Sequence, residues 1–165
     1  MKEFESKKVI RIYKDLEDMG VRIWIDGGWA VDALLEKQTR SHKDLDIAVE
    51  NKDMEKLKNY LVQHGFKEIE REEHKKWDGV YCNEIGQEIE IHSFEINSDG
   101  SIVEQNYWDG YDNNSLNGTG VIDGVVVHCV SLYQIRKTHD ITKRQFKEND
   151  YADMKALNEK FKDSV

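Results

Sequence analysis

The apolar residues of this chain repeat with two periods, and the switches between them mark out helices and strands. Residues 4–19 carry Val9, Ile12, Tyr13, Leu16 and Met19 at helical spacing, with Lys, Glu and Asp between them, and Gly20 stops the helix. Residues 21–25 read as a short strand, 29–35 as a helix and 43–49 as a second strand. Met54, Leu57, Tyr60 and Leu61 give a further helix closed by Gly65, followed by a strand over 66–70 and a strongly charged, solvated excursion over 70–78. The segments 80–85 and 88–94 predict two antiparallel strands joined across Gly86, and 121–127 a tight hairpin around Asp123-Gly124. Residues 105–120 are a long loop rich in Asn, Gly, Asp, Trp and Tyr, of a length often used for binding. Ser131 and Gln134 form a capping box that opens a helix, and a last helix covers 150–161 with Ala152, Leu157 and Phe161 inward. The pattern predicts an α/β (α+β) fold: a mixed sheet with flanking helices, packed mainly on one face, and a short helical C-terminal portion.

Composition leaves this picture whole. The 165 residues contain no repeat, low-complexity tract or linker, so a core over 1–130 and a helical portion over 131–165 are expected to form one unit. A net charge of −9 lacks the basic footprint that nucleic acid requires and suits a cationic small molecule. No apolar run approaches the ~18 residues of a membrane span. Met1-Lys2-Glu3-Phe4-Glu5 has no apolar leader character, so a cytoplasmic location is expected. Cys82 and Cys129 lie in apolar strand contexts and read as small buried hydrophobes.

The chemistry concentrates between residues 25 and 47. Ile25-Asp26-Gly27-Gly28 reads as a strand end and a double glycine at a helix start, where the backbone can approach a phosphate closely and helix amides attract anions. Asp44 and Asp46 fall on one face of the next strand, with Leu45 and Ile47 on the other. Two carboxylates so close repel unless a cation lies between them, and Mg²⁺ is the natural resident. Arg40 and His42 stand just before this strand; a guanidinium grips a phosphate with two donors, and an imidazole can donate to a phosphate or sugar oxygen. A nucleoside triphosphate and a phosphoryl or nucleotidyl transfer follow. Further along, Glu88, Glu90 and His92 share one strand face, while Tyr107, Trp108 and Tyr111 offer rings that stack on an apolar or sugar-containing substrate or form a satellite apolar cluster.

Gly27-Gly28-Trp29-Ala30-Val31-Asp32 followed by Arg40-x-His42-x-Asp44-x-Asp46 resembles the signature of small antibiotic nucleotidyltransferases, in particular the lincosamide nucleotidyltransferases and then the aminoglycoside 2''-nucleotidyltransferases. Both belong to the DNA-polymerase-β-like nucleotidyltransferase superfamily. The resemblance implies a nucleotidyltransferase core over 1–130 and transfer of AMP from ATP to a hydroxyl of a lincosamide, with an aminoglycoside as the alternative acceptor. It implies that Asp44, Asp46 and Glu90 hold two Mg²⁺ ions, that Gly27, Gly28, Trp29, Arg40 and His42 bind the nucleotide, and that Glu90 or Glu88 is the general base. His92, Tyr107, Trp108 and Tyr111 are then expected around the antibiotic. The family residue at position 90 is an aspartate, so Glu88 remains in play for either role. A homodimer that completes the cleft between chains is a further expectation. The rival reading outside the enzymes is a nucleotide-binding or toxin–antitoxin-type module that kept the fold and lost catalysis.

Overall fold

A computed structural model of the chain describes residues 2–72 and 78–162, and places β2 (Asp44–Glu50) in the middle of a seven-stranded sheet. On one side β2 pairs antiparallel with β1 (Ile23–Asp26), which pairs parallel with β7 (Val125–Cys129), and β6 (Gly118–Ile122) closes that edge. On the other side β2 pairs parallel with β5 (Glu88–Phe94), followed by β4 (Asp78–Cys82) and β3 (Lys67–Ile69), both antiparallel.

Alternation along these strands separates two faces. Ile23, Ile25, Leu45, Ile47, Ile89, Ile91, Val127 and Cys129 are at most 2% exposed and form the core face. Helices α1 (Ser6–Asp18) and α2 (Gly27–Leu35) pack against the sheet, α1 through Val9, Ile12 and Leu16. Each such side chain stabilises the fold by roughly 1.5–3 kcal/mol. The opposite face carries Trp24, Asp26, Asp46, Glu90 and His92, all half-buried. Helix α3 (Met54–Gln63) adds Leu57 and Leu61 to the core, and α4 (Leu132–Thr138) and α5 (Glu148–Lys160) both pack on α2. No helix among the described residues is long and apolar enough to cross a membrane.

Three local differences from the sequence expectation bear on the site. β1 starts two residues later than residue 21 and runs through Asp26, whose Oδ1 accepts the Gly27 N–H at 2.7 Å. This cap starts α2 at Gly27 rather than at residue 29. The last helix begins at Glu148, because Asp150 accepts the Lys147 amide at 2.8 Å. In that phase Ala152 is exposed, and Asp153 and Leu157 turn inward. The tight hairpin forms as expected, with Asp123 and Gly124 at φ +51° and +76°, the pair of left-handed residues a type I′ turn needs. Of the charged excursion over 70–78, residues 73–77 lie outside the described residues.

Candidate active site

Strand register builds the site. Asp26 on β1 lies beside Asp46 on β2, and Asp46 lies beside Glu90 on β5, so three carboxylates stand in a row across adjacent strands. The next rung toward the start of β2 pairs Asp44 with Glu88. Ligand atoms of Asp46, Glu90 and His92 all lie within 4.8 Å of one another, and His92 Nε2 is 3.7 Å from Asp46 Oδ1. Carboxylate oxygens at that spacing fit a hard divalent cation. Of the expected ligands Asp44, Asp46 and Glu90, the structure clusters Asp46 and Glu90, adds His92, and leaves Asp44 exposed on the wall of the same cleft.

The two glycines are required for two different reasons. Gly27 has φ +59°, and a β-carbon there would overlap the Asp46 carboxylate. A β-carbon on Gly28 would come within 2.6 Å of His42 Nδ1 and 2.7 Å of Arg40 Nη2. The double glycine thus lets a carboxylate, an imidazole and a guanidinium close onto the first turn of α2.

The residues behind that turn differ from expectation. Trp29, expected at the nucleotide, is 1% exposed and packs on the His42 ring at 4.6 Å between centroids. Every α2 residue from Trp29 to Leu35 is buried, so its ring belongs to the core rather than to the cleft. His42, also expected to donate to the nucleotide, is 3% exposed, and its Nε2 lies 2.5 Å from Asp32 Oδ2. Asp32 Oδ1 accepts from the Thr39 amide and hydroxyl at 3.1 and 2.6 Å. Asp32 and His42 therefore tie the 36–42 loop beneath the glycine turn. Arg40 does face the cleft, with Nε and Nη2 donating to Asp153 of α5 at 3.4 and 3.1 Å.

Glu88 forms an ion pair with Arg71 and does not line the cleft, which takes Glu90 instead. The cleft holds about 680 Å³. Lys43, Arg144 and Lys147 add positive charge to its wall. Arg144 Nη2 donates to Asp150 at 2.7 Å. Burial alone would raise the Asp150 carboxyl, but the Lys147 amide, the Arg144 guanidinium and His139 hold it below its ordinary value.

The family model for aminoglycoside-2''-adenylyltransferases matches residues 8–157, which include every residue named above as lining this cleft. The chain belongs to that family. A lincosamide resistance protein of Staphylococcus haemolyticus is 31% identical over 158 residues, covering 92% of this chain and 93% of its own length. The lincomycin-bound structure of the lincosamide antibiotic adenylyltransferase LnuA superposes with a TM-score of 0.82 at 26% identity, covering 95% of this chain and 98% of that one. The structure of ANT(2'')-Ia with adenylyl-2''-tobramycin shares the fold, with a TM-score of 0.74 at 18% identity and coverage of 94% and 88%. The polymerase-β-like nucleotidyltransferase fold expected from the glycine and aspartate motifs is the fold observed.

In this aminoglycoside-2''-adenylyltransferase family member the long loop splits its aromatics between two tasks. Tyr107, Trp108 and Tyr111 all line the cleft, and Trp108 is 39% exposed. Tyr111, expected to stack on substrate, is 4% exposed, edge-on to Phe94 at 6.0 Å, and its hydroxyl donates to Asp26 Oδ2 at 2.6 Å. Asp26 and Gln105 escaped the sequence reading, whereas Asp150 and Asp153 on the last helix echo the Asp-x-x-Asp near the C-terminus of the resembled family. Of the two that escaped, Asp26 alone had a visible signal, as the residue directly before the double glycine.

Proposed function

We propose that this adenylyltransferase-family enzyme transfers AMP from ATP to a hydroxyl of a lincosamide antibiotic, with Mg²⁺ held at Asp46 and Glu90 and a second ion reaching Asp44. The observation that carries the reading is the Asp46 carboxylate lying over the Gly27 turn with Glu90 on the adjacent strand. A phosphate-attracting helix start and a cation-binding carboxylate pair then share one cleft. The full-length match to the lincosamide resistance protein and to LnuA supports the acceptor. Divalent ions bound by these carboxylates would neutralise triphosphate charge and lower the pKa of the acceptor hydroxyl.

The chain's own residues do the rest. Arg40, held by Asp153, presents its guanidinium edge to the phosphates, and Arg144, Lys147 and Lys43 add positive charge around them. Tyr107 and Trp108 supply the apolar wall for the acceptor. The acceptor oxygen forms a bond to the α-phosphorus, and the bond from that phosphorus to the β-bridging oxygen breaks. Pyrophosphate leaves with the electron pair, and a Glu90 carboxylate oxygen takes the hydroxyl proton. An ATP-consuming resistance enzyme of this kind acts in the cytoplasm.

A second acceptor class, the aminoglycosides, is favoured by one observation: Glu3, Asp44 and Asp109 also line the cleft and suit a polycation. Pyrophosphate release with ATP, Mg²⁺ and a panel of lincosamides and aminoglycosides decides between them. Turnover with lincosamides is the expected result. Release with aminoglycosides alone would transfer the assignment to the second class, and release with neither would overturn both.

A further inference from the structure

Between residues 105 and 111 the chain leaves and re-enters one point. The Gln105 side chain accepts the Tyr111 amide and donates to the Ser93 carbonyl, both at 2.8 Å, and the Gln105 amide donates to the Tyr111 carbonyl at 3.3 Å. Gly110 closes this neck, because a β-carbon there would come within 2.7 Å of the Gln105 β-carbon. The tip of the small loop carries Tyr107, Trp108 and Asp109 into the cleft. The neck is in turn fixed to the nucleotide side by the Tyr111 hydroxyl on Asp26 Oδ2, whose other oxygen caps Gly27.

We propose that Tyr111 is a positioning residue that registers the acceptor-holding loop against the nucleotide turn, acting through Asp26. This rests on the functional reading above for the identity of the acceptor and donor. The tie is one hydrogen bond to a carboxylate, set between a buried ring and the strand end that precedes the glycines. Its two ends belong to the two halves of the reaction. Loop tip and glycine turn therefore hold a fixed spacing before either substrate arrives. Transfer between two bound molecules is sensitive to such spacing: a displacement of about 1 Å can cost on the order of 10²-fold in rate. A tie of this kind acts on the alignment of acceptor oxygen and α-phosphorus more than on the binding of either molecule alone.

The test is a double-mutant cycle on AMP transfer to lincomycin, with Tyr111→Phe, Asp26→Ala and the double variant. Tyr111→Phe keeps the ring in the core and removes only the hydroxyl. It is expected to lower kcat about 10- to 100-fold while the KM for lincomycin and the Kd for ATP·Mg²⁺ each move less than about threefold. In the Asp26→Ala background the same change is expected to do almost nothing further, because its partner is already gone. Asp26→Asn offers one acceptor and one donor to the same two neighbours and is expected to recover most of the rate lost in Asp26→Ala. An unchanged kcat for Tyr111→Phe overturns the proposal, as does a Tyr111→Phe loss that persists in full without Asp26. Wild-type protein that turns over no lincosamide would instead fault the functional reading, so calorimetric binding of lincomycin to the nucleotide-loaded protein is measured alongside.

Discussion

Asp153 on α5 receives both Nε and Nη2 of Arg40, a residue 113 positions earlier in the chain. The Asp153 side chain is 6% exposed and that of Arg40 28%, so the pair joins a buried anchor to a cation that lines the cleft. The C-terminal helix thereby fixes a cation beside the glycine turn.

Asp153→Ala should accordingly do two things. It should destabilise the protein by about 1–3 kcal/mol, less than a fully buried pair because Arg40 keeps access to water. It should also weaken ATP·Mg²⁺ binding several-fold, with little change in lincomycin binding to the nucleotide-loaded protein. Thermal unfolding and calorimetry read the two effects separately. Unchanged nucleotide affinity would reduce Asp153 to a packing role.

Gly27→Ala and Gly124→Ala separate backbone strain from the site. Both positions have positive φ, +59° and +76°, so each substitution costs about 1–2 kcal/mol in backbone conformation. A β-carbon at Gly124 meets nothing within 4 Å, whereas one at Gly27 overlaps the Asp46 carboxylate. Turnover is expected to fall at least 10²-fold in Gly27→Ala and to remain near wild type in Gly124→Ala. Equal activities in the two variants would show that Asp46 does not need its place over the turn.

The cysteines should react unequally. Burial, and then the charge of Asp26, push the Cys129 thiol up to about 12, while Cys82 is half-buried. Since only the thiolate attacks, a disulfide reagent at about pH 8 should label one thiol in the native protein and the second only on unfolding. Cys82→Ser should remove the native phase; its persistence would place Cys129 within reach of the reagent.

Acid stability follows from Asp150. Its carboxyl is held below its ordinary value by the Lys147 amide, Arg144 and His139 against the opposing effect of burial. A depressed native pKa stabilises the fold above the unfolded value near ~3.9, and that contribution is lost as pH falls through the native value. Wild type should therefore lose more stability between about pH 5 and pH 2 than Asp150→Asn does. Denaturant titrations across that range test it, and parallel profiles would contradict it.

The sheet and its acidic face were legible because strand alternation is a local signal. Asp44, Asp46, Glu90 and His92 all stand on the face that their spacing predicts. The glycine motif was legible as a place, but not the side of it that each neighbour occupies. α2 is apolar nearly all round, so nothing in its sequence indicated that Trp29 and His42 pack behind the turn instead of facing the nucleotide. Asp32–His42, Arg40–Asp153 and Tyr111–Asp26 are fixed by tertiary approach, across 10, 113 and 85 residues, which no local pattern encodes. Glu88 and Glu90 looked alike in sequence because both share a strand face; Arg71, from the end of the segment after β3, distinguishes them.

That distinction gives the most direct test. Glu90 lines the cleft beside Asp46, while Glu88 is engaged by Arg71 outside it. AMP transfer from ATP to lincomycin, measured side by side in wild type, Glu90→Gln and Glu88→Gln at saturating Mg²⁺, should fall on the order of 10²–10⁴-fold for Glu90→Gln and stay within a few-fold of wild type for Glu88→Gln. A fully active Glu90→Gln enzyme, or a Glu88→Gln enzyme that loses turnover instead, would contradict the account.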